Sequence, residues 1–116
     1  MSFKDKFKEI KSSCEDLLDI ALIGKDGIIV ETTFSSEVLE SLTIEMSTIL
    51  NKITTILEPF KDFVKEDILI TEQHTILIKP ISDYYFMVLF MKAGGNIGKA
   101  RFIVRKNTLW FQEAIR

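Results

Sequence analysis

Residues 84–101 read YYFMVLFMKAGGNIGKAR, and the division of this stretch settles the architecture. The first eight residues, YYFMVLFM, are apolar at every alternating position. Side chains of a strand alternate between its two faces, so a strand with no polar face must be covered on both sides. Eight residues also fall far short of the roughly 20 that cross a bilayer as a helix. The spacing therefore predicts a central strand over 83–91. Beyond it, Ile97, Ala100, Val104, Phe111 and Ile115 trace one helical stripe, widened by Ile103 and Trp110. A helix is expected over 96–115, capped by Asn96, with Lys99, Arg101, Arg105, Lys106 and Arg116 supplying positive charge.

The glycines between these elements invite a nucleotide reading. A phosphate loop needs G-x-x-x-x-G-K-[ST], so that backbone N–H groups wrap phosphates and a hydroxyl holds Mg²⁺. Gly94 and Gly98 enclose only three residues, Ala93 stands where the first glycine belongs, and Ala100 replaces the hydroxyl. The dinucleotide pattern G-x-G-x-x-G fails at Asn96. The plainer reading is a turn, AGGN, followed by a capped helix, with Gly98 allowing that helix a close approach to a neighbour. No cofactor is expected.

Working outward, strands over 65–72 and 75–81 precede the central strand, with reversals at EQHT and SDY, and the three form a meander. Upstream, LLDIALIGKDGIIVETT places two β-rich runs around KDG, a hairpin signal, giving strands over 17–24 and 27–33. Phe3, Phe7, Ile10, Cys14 and Leu17 make the stripe of a helix over 2–15. A second helix is expected over 36–57, capped by Ser35 or Ser36 and stopped by Pro59. Its Val38, Leu39, Leu42, Met46, Ile49, Leu50, Ile53, Ile56 and Leu57 span roughly 120° at 3.6 residues per turn. Part of so wide a stripe packs on the sheet; the rest is core too, or meets a second subunit. Ile44 lies opposite, among Glu37, Glu40, Thr48 and Asn51.

The first strand is nearly as apolar as the last, whereas IIVETT and VKEDILITEQ suit edges. The expectation is an α+β fold, α-β-β-α-β-β-β-α. It has a five-stranded, mainly antiparallel sheet in the order 2-1-5-4-3, helices on both faces, and one domain over 1–116.

Composition narrows function. The chain of 116 residues is 47% hydrophobic and 28% charged, enough for a core, and its net charge of −2 gives no global field for nucleic acid. The charge-studded N-terminus is no secretory signal, and a single cysteine, Cys14, fits a reducing cytoplasm. The first helix, basic and amphipathic, reads as packed on its own domain rather than on a membrane. His74 is the only histidine and falls at a turn, which leaves zinc, Ser-His-Asp and Cys-His chemistry without a partner set. Glu66 and Asp67 are adjacent on a strand, point to opposite faces, and guard an edge. Asp19, inside an apolar strand, reads as a hydrogen-bonded or solvated residue, with a small-ligand face as the alternative. No residue set supports catalysis, and the chain reads as no enzyme.

With this element order, the segment ILITEQHTILIKPISDYYFMVLFMKAGGNIGKARFIVRK resembles the roadblock domain family, named after a dynein light chain. The carriers are an apolar last strand, a short polar loop and NIGKAR opening the final helix, similar to the family's N-[LI]-G-x-[AL]-R; ALIGKDGIIVET is similar to its first hairpin. The resemblance covers nearly all of 12–115, and EQHT departs from it, because relatives commonly put glycine at that reversal. It implies a roadblock/profilin-like fold and a non-enzymatic homo- or heterodimer. The middle helices of two subunits would pack together and their third strands pair edge to edge. On this chain that implies dimer contacts from Leu39, Leu42, Met46, Ile49, Leu50 and Ile53, with Val64, Ile68, Leu69 and Ile70 on the pairing strand. Bacterial and archaeal members often accompany small Ras-like GTPases, as in gliding-motility polarity, and regulate GTP hydrolysis or exchange. Other members serve as light chains or scaffolds. The implied partners are thus a second copy and a small Ras-like GTPase, the latter meeting Glu37, Ser41, Ile44, Glu45 and Thr48.

Overall fold

The computed structural model describes all 116 residues apart from the side chain of Leu39. Helix α1 (Phe3–Ser13) is followed by strands β1 (Leu17–Gly24) and β2 (Ile29–Thr32) and by helix α2 (Glu37–Leu57). A 3₁₀ turn (Glu58–Phe60) leads to β3 (Asp67–Ile70), β4 (His74–Pro80) and β5 (Tyr85–Lys92), and α3 (Ile97–Ala114) closes the chain. The five strands form one antiparallel sheet in the order β2-β1-β5-β4-β3. This is the expected α+β architecture.

The alternation along β5 explains why the sheet carries two cores. Met87, Leu89 and Met91 face α1 and α3, where Phe7, Ile10, Ala100, Val104 and Phe111 cover them. Phe86, Val88 and Phe90 face the other way, into a cluster with Met46 and Leu50 of α2. In β1, Ile20 and Leu22 join the first core, Ala21 and Ile23 the second. A bulge between Leu17 and Asp19 resets the register, so Leu17 and Ile20 share a core although they are an odd three positions apart. Asp19 accepts a hydrogen bond from Thr33 Oγ1 at 2.8 Å and lies 3.9 Å from Lys11 Nζ. It is satisfied inside the fold, which leaves the ligand-face reading without support.

Local chemistry sets the element ends. In α1, Ser2 accepts from the Asp5 amide and Asp5 accepts from the Ser2 amide, a capping box. Asn96 Oδ1 accepts from Lys99 N at 3.0 Å and caps α3 as expected. Ser36 occupies the cap position of α2, but its hydroxyl makes no capping bond. The β1–β2 reversal is a three-residue loop closed by Gly24 N donating to Ile28 O at 2.9 Å, with Gly27 in the left-handed region at φ 88°. The loop takes in Gly27, Ile28 closes it, and β2 runs only over Ile29–Thr32, shorter than the expected 27–33. At EQHT, the Thr71 hydroxyl accepts from His74 N at 3.0 Å, a side-chain substitute for the missing turn glycine. Pro59 does not stop the chain dead; it continues as the 3₁₀ turn until Lys61 adopts φ 54°.

Gly98 needs correction. A Cβ there would meet nothing nearer than Asn96 Oδ1 at 3.5 Å, so it accommodates no close neighbour within the chain. Within the AGGN turn and the helix start, the tight position is Gly95, where a Cβ would lie 3.0 Å from Lys92 O and 3.2 Å from Asp16 Cβ.

Candidate functional site

The helix that covers the second core does so with only part of its apolar surface. Thr43, Met46, Ser47 and Leu50, spaced three, one and three apart, are the buried line of α2; Met46 is 3% and Leu50 2% exposed. Val38, Leu42, Ile49 and Ile56 are left in solvent, Ile49 at 51% and Ile56 at 66%, with Ile53 half-buried between them. At about 100° per residue, this bare arc is centred roughly 100° around the helix from the buried line. Asn51 and Ile44 fix the direction. Asn51 Nδ2 donates to Lys25 O at 2.7 Å, and a Cβ at Gly27 would touch Ile44 Cγ2. Both lean toward the β1–β2 turn, so the bare arc lies on the flank of the helix away from that turn.

The sheet adds a second unpartnered feature. β3 is an edge, bonded on one side only to β4. Leu69 sits opposite Ile76, a residue of the α2-side core, and therefore shares the α2 face of the sheet. Leu69 and Ile70 are exposed, and upstream of them Phe60 and Phe63 stand almost fully in solvent.

The expected contact residues therefore divide. Leu42 and Ile49 of α2 and Leu69 and Ile70 of β3 are exposed and Ile53 is half-buried, but only Leu69 lies on the α2 face of the sheet, because Ile70 pairs with Thr75 on the α1–α3 face. Met46 and Leu50 are corrected to the chain's own core, because the sheet, rather than another subunit, covers that line of the helix. Val64 packs against the α2-side core and Ile68 against the α1–α3 core, both half-buried. The side chain of Leu39 lies outside the described residues. Glu37, Ser41, Ile44, Glu45 and Thr48 are all exposed on the outer side of α2. There Thr48 opens into a shallow depression of about 520 Å³ continued by Asn51, Lys52, Thr55 and Ile56. Phe60 and Phe63 were not singled out in the sequence. The signal available was two phenylalanines at i, i+3 just after a proline stop, outside any periodic pattern.

Electrostatics tighten the turn end of the site. The Ile28 amide and then the Tyr84 hydroxyl, both donating to Asp26, hold its carboxyl below the usual 3.8, and that carboxylate raises Tyr84 above 10.0. At the glycine loop, Asn96 N donates to Asp16 Oδ2 at 3.0 Å. A carboxylate of the chain itself thus occupies the start of α3, where a bound phosphate would need to lie.

A family model described as Roadblock/LC7 domain matches residues 12–90. The chain belongs to the Roadblock/LC7 domain family. Solved structures carry the same fold. Myxococcus xanthus MglB aligns over 99% of this roadblock chain and 98% of its own, at 8% identity and a TM-score of 0.83. A Roadblock/LC7 domain from Streptomyces avermitilis aligns over 97% and 99%, at 6% identity and 0.79. MglC from Myxococcus xanthus shares more sequence, 29% identity over 93% of this chain and 94% of its own, at 0.61. No curated protein sequence matches the chain. Among the described residues, no helix is long and apolar enough to cross a membrane.

Proposed function

We propose that this roadblock chain is a non-enzymatic, cytoplasmic homodimer that binds and regulates a small Ras-like GTPase. The observations that support the dimer are the bare apolar arc of α2 and the free β3 edge. Val38, Leu42, Ile49, Ile53 and Ile56 recur along α2 at spacings of four, seven, four and three, the line a partner helix needs. Antiparallel pairing of β3 with its copy satisfies the row of backbone groups an edge leaves open. Both features repeat under a twofold axis, the commonest symmetry of soluble homo-oligomers. Met46 and Leu50 support the seam from beneath without entering it.

GTPase regulation rests on family membership and on the likeness to MglB and MglC folds. Two α2 helices side by side present their outer faces together, and Glu37, Ser41, Ile44, Glu45 and Thr48 make a surface that a GTPase can meet. The chain acts there by shaping its partner's site, since it brings no catalytic set of its own.

Light scattering at tens of micromolar tests the dimer: twice the chain mass is expected, and monomer alone overturns the reading. A GTP hydrolysis and nucleotide-exchange assay, with a Ras-like GTPase from a neighbouring gene, tests regulation. A changed rate is expected. Intact binding with unchanged rates assigns the chain to scaffolding, and absence of binding removes the GTPase from the proposal.

A further inference from the structure

On the opposite side of the sheet from α2, the outer surface of α3 carries a stripe that neither the core nor the proposed dimer uses. Lys99, Phe102, Lys106 and Leu109 succeed one another at spacings of three, four and three, one line along a helix. All four are exposed, Phe102 at 59% and Leu109 at 65%. Lys99, Phe102 and Lys106 form one wall of a groove of about 160 Å³, and Glu9 and Ser13 of α1 belong to the other. The walls are fixed to each other. Lys6 Nζ, itself buried, donates to Asn107 Oδ1 at 3.2 Å and lies 5.0 Å from the Trp110 ring. A groove whose walls are already ordered loses little freedom when it is filled.

Charge selects the occupant. Helix α3 carries four basic residues against one acid, whereas the chain has 15 basic and 17 acidic residues. Arg101 is paired with Glu66. Lys99 and Lys106 pair with no acid among the described residues, and they bracket Phe102 one turn to either side. Glu9, the carboxylate at the groove, is held by Lys6 at 3.4 Å. An anionic membrane would meet the same cations, but it calls for a broad apolar face lying in a plane. Here the apolar surface lines a slot between two helices. A protein segment that presents one apolar side chain between carboxylates fits both the slot and the charges.

We propose that the α1–α3 groove docks an acidic amphipathic segment of a partner protein. An apolar side chain of the segment enters against Phe102, and flanking carboxylates meet Lys99 and Lys106. The site lies across the sheet from α2 and stands whether or not the dimer does.

Panning a phage-displayed random peptide library on the full chain tests this, with selected peptides measured by fluorescence anisotropy. Enriched peptides are expected to set Asp or Glu around an aromatic or aliphatic residue. Their affinity is expected to fall at least tenfold in a Lys99→Glu/Lys106→Glu variant and in Phe102→Ala. Both changes are at exposed positions, and unchanged melting temperatures would show that the fold survives them. Ile49→Asp, on α2, is expected to leave binding intact. No enrichment, enrichment without acids, or binding indifferent to the α3 variants overturns the proposal. So does loss of binding in Ile49→Asp alone. Lysine-dependent sedimentation with phosphatidylserine vesicles in the absence of peptide binding assigns the face to a membrane. A fall in the mass of the chain alone on charge reversal assigns it to a second copy; either result overturns the proposal.

Discussion

Adjacent residues of α2 make the strongest test of how that helix is used. Ile49 is half in solvent, and Leu50, the next residue, is 2% exposed among Met46, Ile76, Val88 and Phe90. Replacing Leu50 by Ala opens a cavity in the α2-side core and is expected to cost about 2–5 kcal/mol of folding stability. Replacing Ile49 by Asp touches surface in the isolated chain, where such changes stay within about 0.5 kcal/mol. In a twofold seam the same aspartate is buried twice. At about 1.5 kcal/mol per copy, within the range for burying an unpaired polar group, the pair costs roughly 3 kcal/mol. That corresponds to roughly a hundredfold weaker dimer dissociation constant. Sedimentation equilibrium and thermal melting at a concentration where the variant is monomeric should separate the two effects. Ile49→Asp is expected to dissociate but fold; Leu50→Ala is expected to melt early. An Ile49→Asp protein with undiminished self-association refutes the assignment of the bare arc as the seam.

Three smaller effects follow from local geometry. Asn96→Ala removes the bond to the Lys99 amide and should lower stability by about 1 kcal/mol, read from urea denaturation. Gly27→Ala, at φ 88°, is expected to destabilise by about 1 kcal/mol, whereas Gly98→Ala should be neutral or stabilise by about 0.5 kcal/mol, because only ordinary contact awaits its Cβ. Asp26 should confer stability that is present above 3.8 and lost as pH falls through its lowered folded value. Tyr84 should confer stability that is present below 10.0 and lost as pH rises through its raised folded value. Following the Asp26 carboxyl carbon by NMR, Tyr84→Phe is expected to return its midpoint toward 3.8; an unmoved midpoint would remove the hydroxyl as a cause.

Most of the fold was legible because each element announces itself locally. YYFMVLFM has no polar face and had to be a central strand. Asp26-Gly27 and Asn96 mark a reversal and a cap through their own backbone and side-chain preferences. Even the sheet order followed from which runs were apolar enough to lie inside it. Gly98 went astray for a related reason: a glycine signals freedom, but not whether any neighbour uses it. Ser36 likewise names the residue at a cap without saying where its hydroxyl turns.

The interaction surface was legible only in outline. Periodicity places nine apolar residues of α2 within one arc, and nothing in the chain order says which part of that arc a sheet will cover. Docking decided it. The β1–β2 turn holds Asn51 and Ile44, which rotates the helix so that Thr43 and Ser47, small and polar, go under together with Met46 and Leu50. Leu42, Ile49 and Ile56 are thereby turned out. The α1–α3 groove has the same origin, since Glu9 and Lys99 are 90 positions apart and meet only across packed helices. Local preferences along the sequence determined the elements, their order and the α+β class, because each depends on neighbours within a turn or two. The tertiary structure alone decided which apolar surface remained bare, because that depends on how one rigid helix settles on another layer.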